Sequence, residues 1–173
     1  MRIIGIDPGT ICCGYGIVES CKSSGQRQHS SGLIHIASGE IRLKKNDPLP
    51  DRLRTVYDSL NSLIAQYSPA YLCLEKIFYH KSITAAFTLG SVRGIALLLA
   101  AQNSLPVAEH NPTEIKMALT GYGRAEKRQV QEMVKRILGL DHSPRSEDST
   151  DALALCICHI NSLTYSSQLS KTP

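Results

Sequence analysis

An α/β fold, a mixed five-stranded sheet flanked by helices, is what this sequence predicts, and three observations predict it. The N-terminal part carries three short apolar or alternating segments in series, which read as an antiparallel meander of strands. After residue 50 the apolar spacing lengthens from the strand period of two to the helical period of 3.6. Two more strand-like segments, 71–75 and 105–109, then alternate with helical stretches, the pattern that adds β-α units to a sheet.

Residues 2–6 are an apolar run closed by Asp7-Pro8-Gly9, a turn signal, and form the first strand. Residues 14–19 read as the second. Residues 20–31, built of Ser, Lys, Gly, Gln, Arg and His, read as a long polar hairpin loop. Residues 33–43 place Ile34, Ile36, Ile41 and Leu43 in rough alternation and form the third strand. Between 50 and 67, Leu53, Val56, Tyr57, Leu60, Leu63, Ile64 and Tyr67 recur at helical spacing, and Pro69 follows as a stop. Residues 71–75 form a short strand ending on Glu75. Residues 82–103 are a long helix rich in small and apolar residues, and 105–109 are a fifth strand. A helix starts near Pro112, because proline suits a first turn. Gly121 and Gly123 mark a loop over 120–124. Residues 125–138 carry Val130, Met133, Val134, Ile137 and Leu138 on one helical face, with Gly139 as the stop. A last helix runs from about Asp148 to Leu163. The order is βββαβαβα with extra helical segments near the end. With no internal repeat and no linker, one domain over 1–163 with a flexible tail at 164–173 is expected.

Composition narrows the partners without naming one. The chain has 173 residues, enough for one full core, with 42% hydrophobic and 20% charged residues, the balance of a soluble globular protein. The formal net charge of +4 is compatible with an acidic polymer as partner but does not identify one. Six cysteines, at 12, 13, 21, 73, 156 and 158, include no Cys-x-x-Cys pair and read as free thiols in a reducing compartment. The N-terminus shows no signal peptide, and the longest apolar run, Ile95 to Ala101, falls short of the roughly 18–20 residues that cross a bilayer. A cytoplasmic location without membrane association is expected.

Four acids stand out by position. Asp7 closes the first strand and Glu75 the fourth, and strand ends are where functional side chains gather in α/β sheets. Asp148 and Asp151 are three residues apart at the start of the last helix and share one of its faces. Each has a plainer reading: Asp7 as a turn residue, Glu75 as a solvated strand end, Asp148 as an N-cap with Asp151 as its third helical residue. Taken together they suggest more. Clustered carboxylates repel unless a cation sits among them, and hard divalent ions such as Mg²⁺ take oxygen ligands. Two such ions can activate water and stabilise the leaving oxygen in phosphodiester cleavage.

The segments that carry these acids resemble a known family. Gly5-Ile6-Asp7-Pro8-Gly9-Thr10 with Gly14-Tyr15-Gly16, Leu74-Glu75-Lys76-Ile77-Phe78, Gly121-Tyr122-Gly123-Arg124-Ala125-Glu126-Lys127 and Asp148-Ser149-Thr150-Asp151-Ala152-Leu153-Ala154 resemble, in order, the motifs of RuvC-type Holliday junction endonucleases. The resemblance spans residues 3 to about 160. It implies an RNase H-like fold and a homodimeric, Mg²⁺-dependent endonuclease with two ions per site, for which Mn²⁺ substitutes. That enzyme cuts paired strands of a four-way DNA junction in recombination and repair, beside a branch-migration motor complex. It implies that Asp7, Glu75, Asp148 and Asp151 are catalytic and bind metal. Lys116 and Lys127 would lie near the scissile phosphate, and Phe78 would stack on bases near the junction centre. Lys76 stands where the family usually has Gln, Ile11-Cys12-Cys13 is atypical, and the loop at 20–31 is longer than usual.

Basic residues cluster around these motifs: Lys76, His80, Lys81, Arg93, Lys116, Arg124, Lys127 and Arg128. Phosphate contacts from such side chains supply most nucleic-acid affinity, and Phe78, Lys81, Lys116, Arg124 and Lys127 are the candidate DNA-binding residues. Phe78 opens a mixed aromatic and basic stretch, Phe78-Tyr79-His80-Lys81, that suits base stacking, although a core or dimer contact explains a phenylalanine equally. The helix over 82–103 has more apolar surface than one core-facing stripe needs and is the candidate dimer contact. Three other readings compete. Sugar kinases and actin-like ATPases also open with Gly-Ile-Asp-x-Gly-Thr but need two large lobes. A smaller nuclease of ribosomal RNA precursors shares the first motif and the last acidic pair but not the Glu-x-x-Phe segment. A non-enzymatic junction-binding subunit would not need all four acids.

Overall fold

Strand alternation sorts the apolar residues of this chain into two layers, one on each side of a single sheet. The computed structural model describes residues 1–21, 32–76, 83–142, 144 and 146–169. Its elements are β1 (Arg2–Asp7), β2 (Cys12–Ser20), β3 (Leu33–Arg42), α1 (Leu49–Tyr67), β4 (Tyr71–Glu75), α2 (Ile83–Gln102), β5 (Val107–His110), α3 (Pro112–Thr120), α4 (Lys127–Leu138) and α5 (Glu147–Leu169). The sheet order is β3-β2-β1-β4-β5. β1, β2 and β3 pair antiparallel, whereas β4 pairs parallel with both β1 and β5. The meander and its β-α continuation are both present, as the periodicity predicts.

Ile4, Ile6, Leu72 and Leu74 point into one core, with α1 and α2. Ile3 and Cys73 point into the other, with α3, α4 and α5. Because β-strand side chains alternate, Asp7 and Glu75 belong to the second face, the face that α5 covers. The middle of α5 is buried almost all round, from Ala152 to Ile160, and lies across β1 and β2.

Several boundaries differ from the sequence reading, β2 starting at Cys12 and not at 14. α5 continues to Leu169, six residues beyond the expected end. Its polar residues are accommodated there, the hydroxyls of Thr164 and Ser166 bonding to the carbonyls of Ile160 and Ser162 four residues back, at 2.9 Å each. β5 starts at Val107 and not at 105, and α4 starts at Lys127, with Glu126 as its N-cap. The greater part of the expected hairpin loop, residues 22–31, lies outside the described residues.

α2 also departs from expectation. By length and composition alone Ile83–Gln102 is long and apolar enough to cross a bilayer, although its longest unbroken apolar run is short. In the fold, Val92, Ala96, Leu99 and Ala100 pack it against the sheet side shared with α1. Ile83 and Phe87 remain 75% and 74% exposed.

Candidate active site

The β1–β4 register brings the first two acids together. Gly5 pairs with Cys73 and Ile6 with Leu74, so one residue further on Asp7 and Glu75 stand side by side at the strand ends. The helix N-terminus that carries the other two acids reaches them through glycines. A Cβ on Gly5 would collide with the carbonyl oxygen of Ala152, and one on Gly14 with the backbone carbonyl of Asp148. Gly14 is the antiparallel partner of Asp7. The bare backbone at these two positions therefore lets α5 settle onto the sheet with Asp148 and Asp151 over Asp7.

Ser146, not Asp148, caps α5. Its Oγ accepts the backbone N–H of Ser149 at 3.1 Å, and its carbonyl oxygen accepts the hydroxyls of Ser149 and Thr150. The plainer reading of Asp148 as a cap is thus overturned, and its carboxylate is spared for other partners. Glu147 and Asp148 both sit in the first turn, where the helix dipole favours negative charge.

The electrostatics report crowding. Burial pushes the Asp7 carboxyl up to about 7 from its ordinary 3.8, and the charges of Asp151, Asp148 and Glu75 push the same way, opposed by Lys127. Burial also raises Glu75, as does Asp151, while Lys116 and Lys127 pull it down. Asp151 is raised by burial against the pull of its hydrogen bond to Lys127. Four carboxylates in one place with, among the described residues, a single ammonium at bonding distance form a site short of positive charge. Its donors are all oxygen, so the residues present fit a hard divalent ion.

Lys127 is that ammonium. Its Nζ lies 2.9 Å from Glu147 and 3.0 Å from Asp151. Partial burial would depress it, but the two carboxylates outweigh this and hold it well above the usual lysine range. Lys127 is the first residue of α4, and the first turn of that helix has no acid. A cation there opposes the helix dipole, so local preference does not explain it; the acids across the cleft do. Lys116, from α3, lines the same cleft with Asp7, Glu75, Lys127 and Asp151. Glu114 does not hold it: that carboxylate accepts the backbone N–H of Asn111 at 2.9 Å and its side-chain amide at 2.7 Å. Arg124 is exposed in the loop before α4.

Other candidates fall elsewhere. Arg93 is not a free basic residue. From α2 it donates to the carbonyl oxygen of Glu75 at 3.0 Å and to the carboxylate of Glu109, so it buttresses the end of β4. Phe78, His80 and Lys81 lie outside the described residues. Glu147 and Ser146 were missed in the sequence, although a Ser two residues ahead of the Asp-x-x-Asp pair is itself a capping signal.

Comparison with known proteins gives a consistent relationship. The family described as "Crossover junction endodeoxyribonuclease RuvC" matches residues 3–159. Proteins of that name from Heliobacterium modesticaldum and Syntrophotalea carbinolica are similar along nearly their whole lengths. The first is 42% identical over 95% of this chain and 97% of its own, the second 46% identical over 92% and 93%. The solved structure of RuvC from Thermus thermophilus superposes with a TM-score of 0.84 at 26% identity, covering 96% of this chain and 97% of that one. Its complex with a Holliday junction substrate gives 0.87 at the same identity and coverage.

Proposed function

Because the chain belongs to the RuvC family of crossover junction endodeoxyribonucleases, we propose that its carboxylate cluster is the catalytic centre of a divalent-metal-dependent Holliday junction endonuclease. The protein resolves four-way DNA junctions by phosphodiester hydrolysis, in recombination and repair. The observation that carries the assignment of the site is the crowding at Asp7, a carboxyl lifted to about 7 by burial and three neighbouring acids.

In this reading Asp7, Glu75, Asp148 and Asp151 hold Mg²⁺. Ions bound there supply a positively charged seat for the scissile phosphate and lower the pKa of the attacking water. The chain's own groups do the rest. Lys127, anchored between Glu147 and Asp151, presents a fixed ammonium to the charge that grows on the phosphate. Lys116 approaches the same phosphate from α3. Arg124 and the residues around Phe78 and Lys81 bind the DNA arms. Without metal the crowded carboxylates repel the scissile phosphate, so the basic residues bind the junction and cleavage needs the metal.

Paired cuts follow from a homodimer joined through α2. Ile83, Phe87, Gly90, Gly94, Leu97 and Ala101 recur every three or four residues along its exposed side. Such a seam suits a second copy on a two-fold axis, and a four-way junction has approximate two-fold symmetry. The test is cleavage of a four-way junction beside a linear duplex of the same sequence, with Mg²⁺ and with chelator. Junction-selective, Mg²⁺-dependent cutting is expected. Equal cutting of both substrates, or cutting in chelator, would refute the reading.

A further inference from the structure

A second group of ligand-type side chains lies behind the carboxylates. Cys73 comes from β4, His110 ends β5, and His159 sits on α5; their ligand atoms all lie within 4.8 Å of one another. His159 Nδ1 is 3.2 Å from His110 Nε2. Two nitrogens bound tetrahedrally at roughly 2.0–2.1 Å to one zinc ion lie about 3.3 Å apart, so this edge is already at coordination spacing. His159 is only 7% exposed, yet its Nε2 has no hydrogen-bond partner among the described residues. With the proton on Nε2, the His159 Nδ1 lone pair faces His110, the neutral form in which an imidazole ligates a metal ion.

We infer that Cys73, His110 and His159 bind one divalent ion of the zinc class, at a site separate from the carboxylate cluster. The thiolate and two imidazoles are a borderline-soft donor set, unlike the all-oxygen set of Asp7 and its neighbours. His159 is eight residues along α5 from Asp151, a separation of about 12 Å on a helix. On binding, the Cys73 thiol releases its proton to solvent as Sγ bonds the ion, and a water fills the fourth position. Glu114, whose carboxylate lies 4.0 Å from His110 Nδ1, is placed to orient that imidazole from outside. The ion would clamp β4, β5 and α5, the elements that carry Glu75 and Asp151.

Cobalt tests this by colour. The full-length protein, reduced and stripped of metal, is titrated with Co²⁺ in parallel with Asp7→Asn, Cys73→Ala and His110→Ala. A near-ultraviolet thiolate-to-cobalt band that saturates at one ion per chain is expected in the wild type and in Asp7→Asn, whatever further Co²⁺ the carboxylates take up without such a band. The band should vanish in Cys73→Ala, and its midpoint should rise tenfold or more in His110→Ala. A wild type without the band, or a band that survives Cys73→Ala, overturns the site. If Cys73→Ala does not fold, an unchanged midpoint in His110→Ala, at a strand end, overturns it equally.

Discussion

The ammonium of Lys127 stands 3.0 Å from a carboxylate oxygen of Asp151, across the cleft from its own helix. Glu147 holds the same nitrogen from the other side at 2.9 Å. A lysine fixed this way is preorganised and need not be gathered in when charge develops on a phosphate. Lys127→Ala should slow single-turnover cleavage at saturating enzyme at least tenfold, about 1.4 kcal/mol of barrier. Junction affinity, measured in Ca²⁺, should change much less. A rate restored by excess enzyme would make Lys127 a phosphate anchor only. Lys116→Ala is expected to act in the same direction.

Close approach at Gly14 is what sets Asp148 against the end of β1. A methyl group there meets the Asp148 backbone and forces α5 outward. Gly14→Ala should cost about 1–3 kcal/mol in urea unfolding, in the range of overpacked sites. Cleavage by the folded fraction should fall further than that loss accounts for. Wild-type turnover from the folded variant would show that the helix position does not set the site.

The raised Asp7 carboxyl predicts a pH dependence of definite sign. Between its ordinary 3.8 and about 7, the folded metal-free protein holds a proton that the unfolded chain has released. Stability therefore falls as pH rises through that window, and the penalty is complete above it. Asp7→Asn escapes the penalty. In calorimetry without metal the variant should melt above the wild type at pH 8, with the gap closing toward pH 4. Mg²⁺ should raise the wild-type melting temperature at pH 8 and leave the variant nearly unmoved.

Phe87, 74% exposed on α2, is the largest side chain of the seam that the proposed dimer buries, one turn from its N-terminal end. Phe87→Glu should convert a micromolar dimer into a monomer in sedimentation and abolish paired cutting while the fold survives. A wild type that is monomeric and fully resolving at the same concentration contradicts the assignment of this face.

What could be read in the sequence, and what could not, divides by range. Asp7 and Glu75 were legible because turn chemistry and strand length are local: Asp7-Pro8-Gly9 closes one strand and the short apolar run 71–74 ends on Glu75. The cap of α5 was not legible because Ser146 and Asp148 both carry capping side chains, and only the hydrogen bonds choose between them. The end of α5 was placed too early because Ser and Thr residues read as a frayed tail, whereas their hydroxyls bond back to the helix. Arg93 read as one of the basic residues clustered around the motifs until its partner, the Glu75 carbonyl 18 residues away, was in place. Cys73, His110 and His159 come from three elements, and no spacing in the chain announces them.

The carboxylate assignment stands or falls on Asp7→Asn, which keeps the side-chain shape but removes its charge. The decisive measurement is single-turnover cleavage of a synthetic four-way junction in Mg²⁺, beside binding of the same junction in Ca²⁺, with wild type and variant at saturating concentration. The account predicts cleavage at background for Asp7→Asn with junction affinity close to wild type, since the acids hold metal and the basic residues hold DNA. Near-wild-type cutting by Asp7→Asn would contradict it.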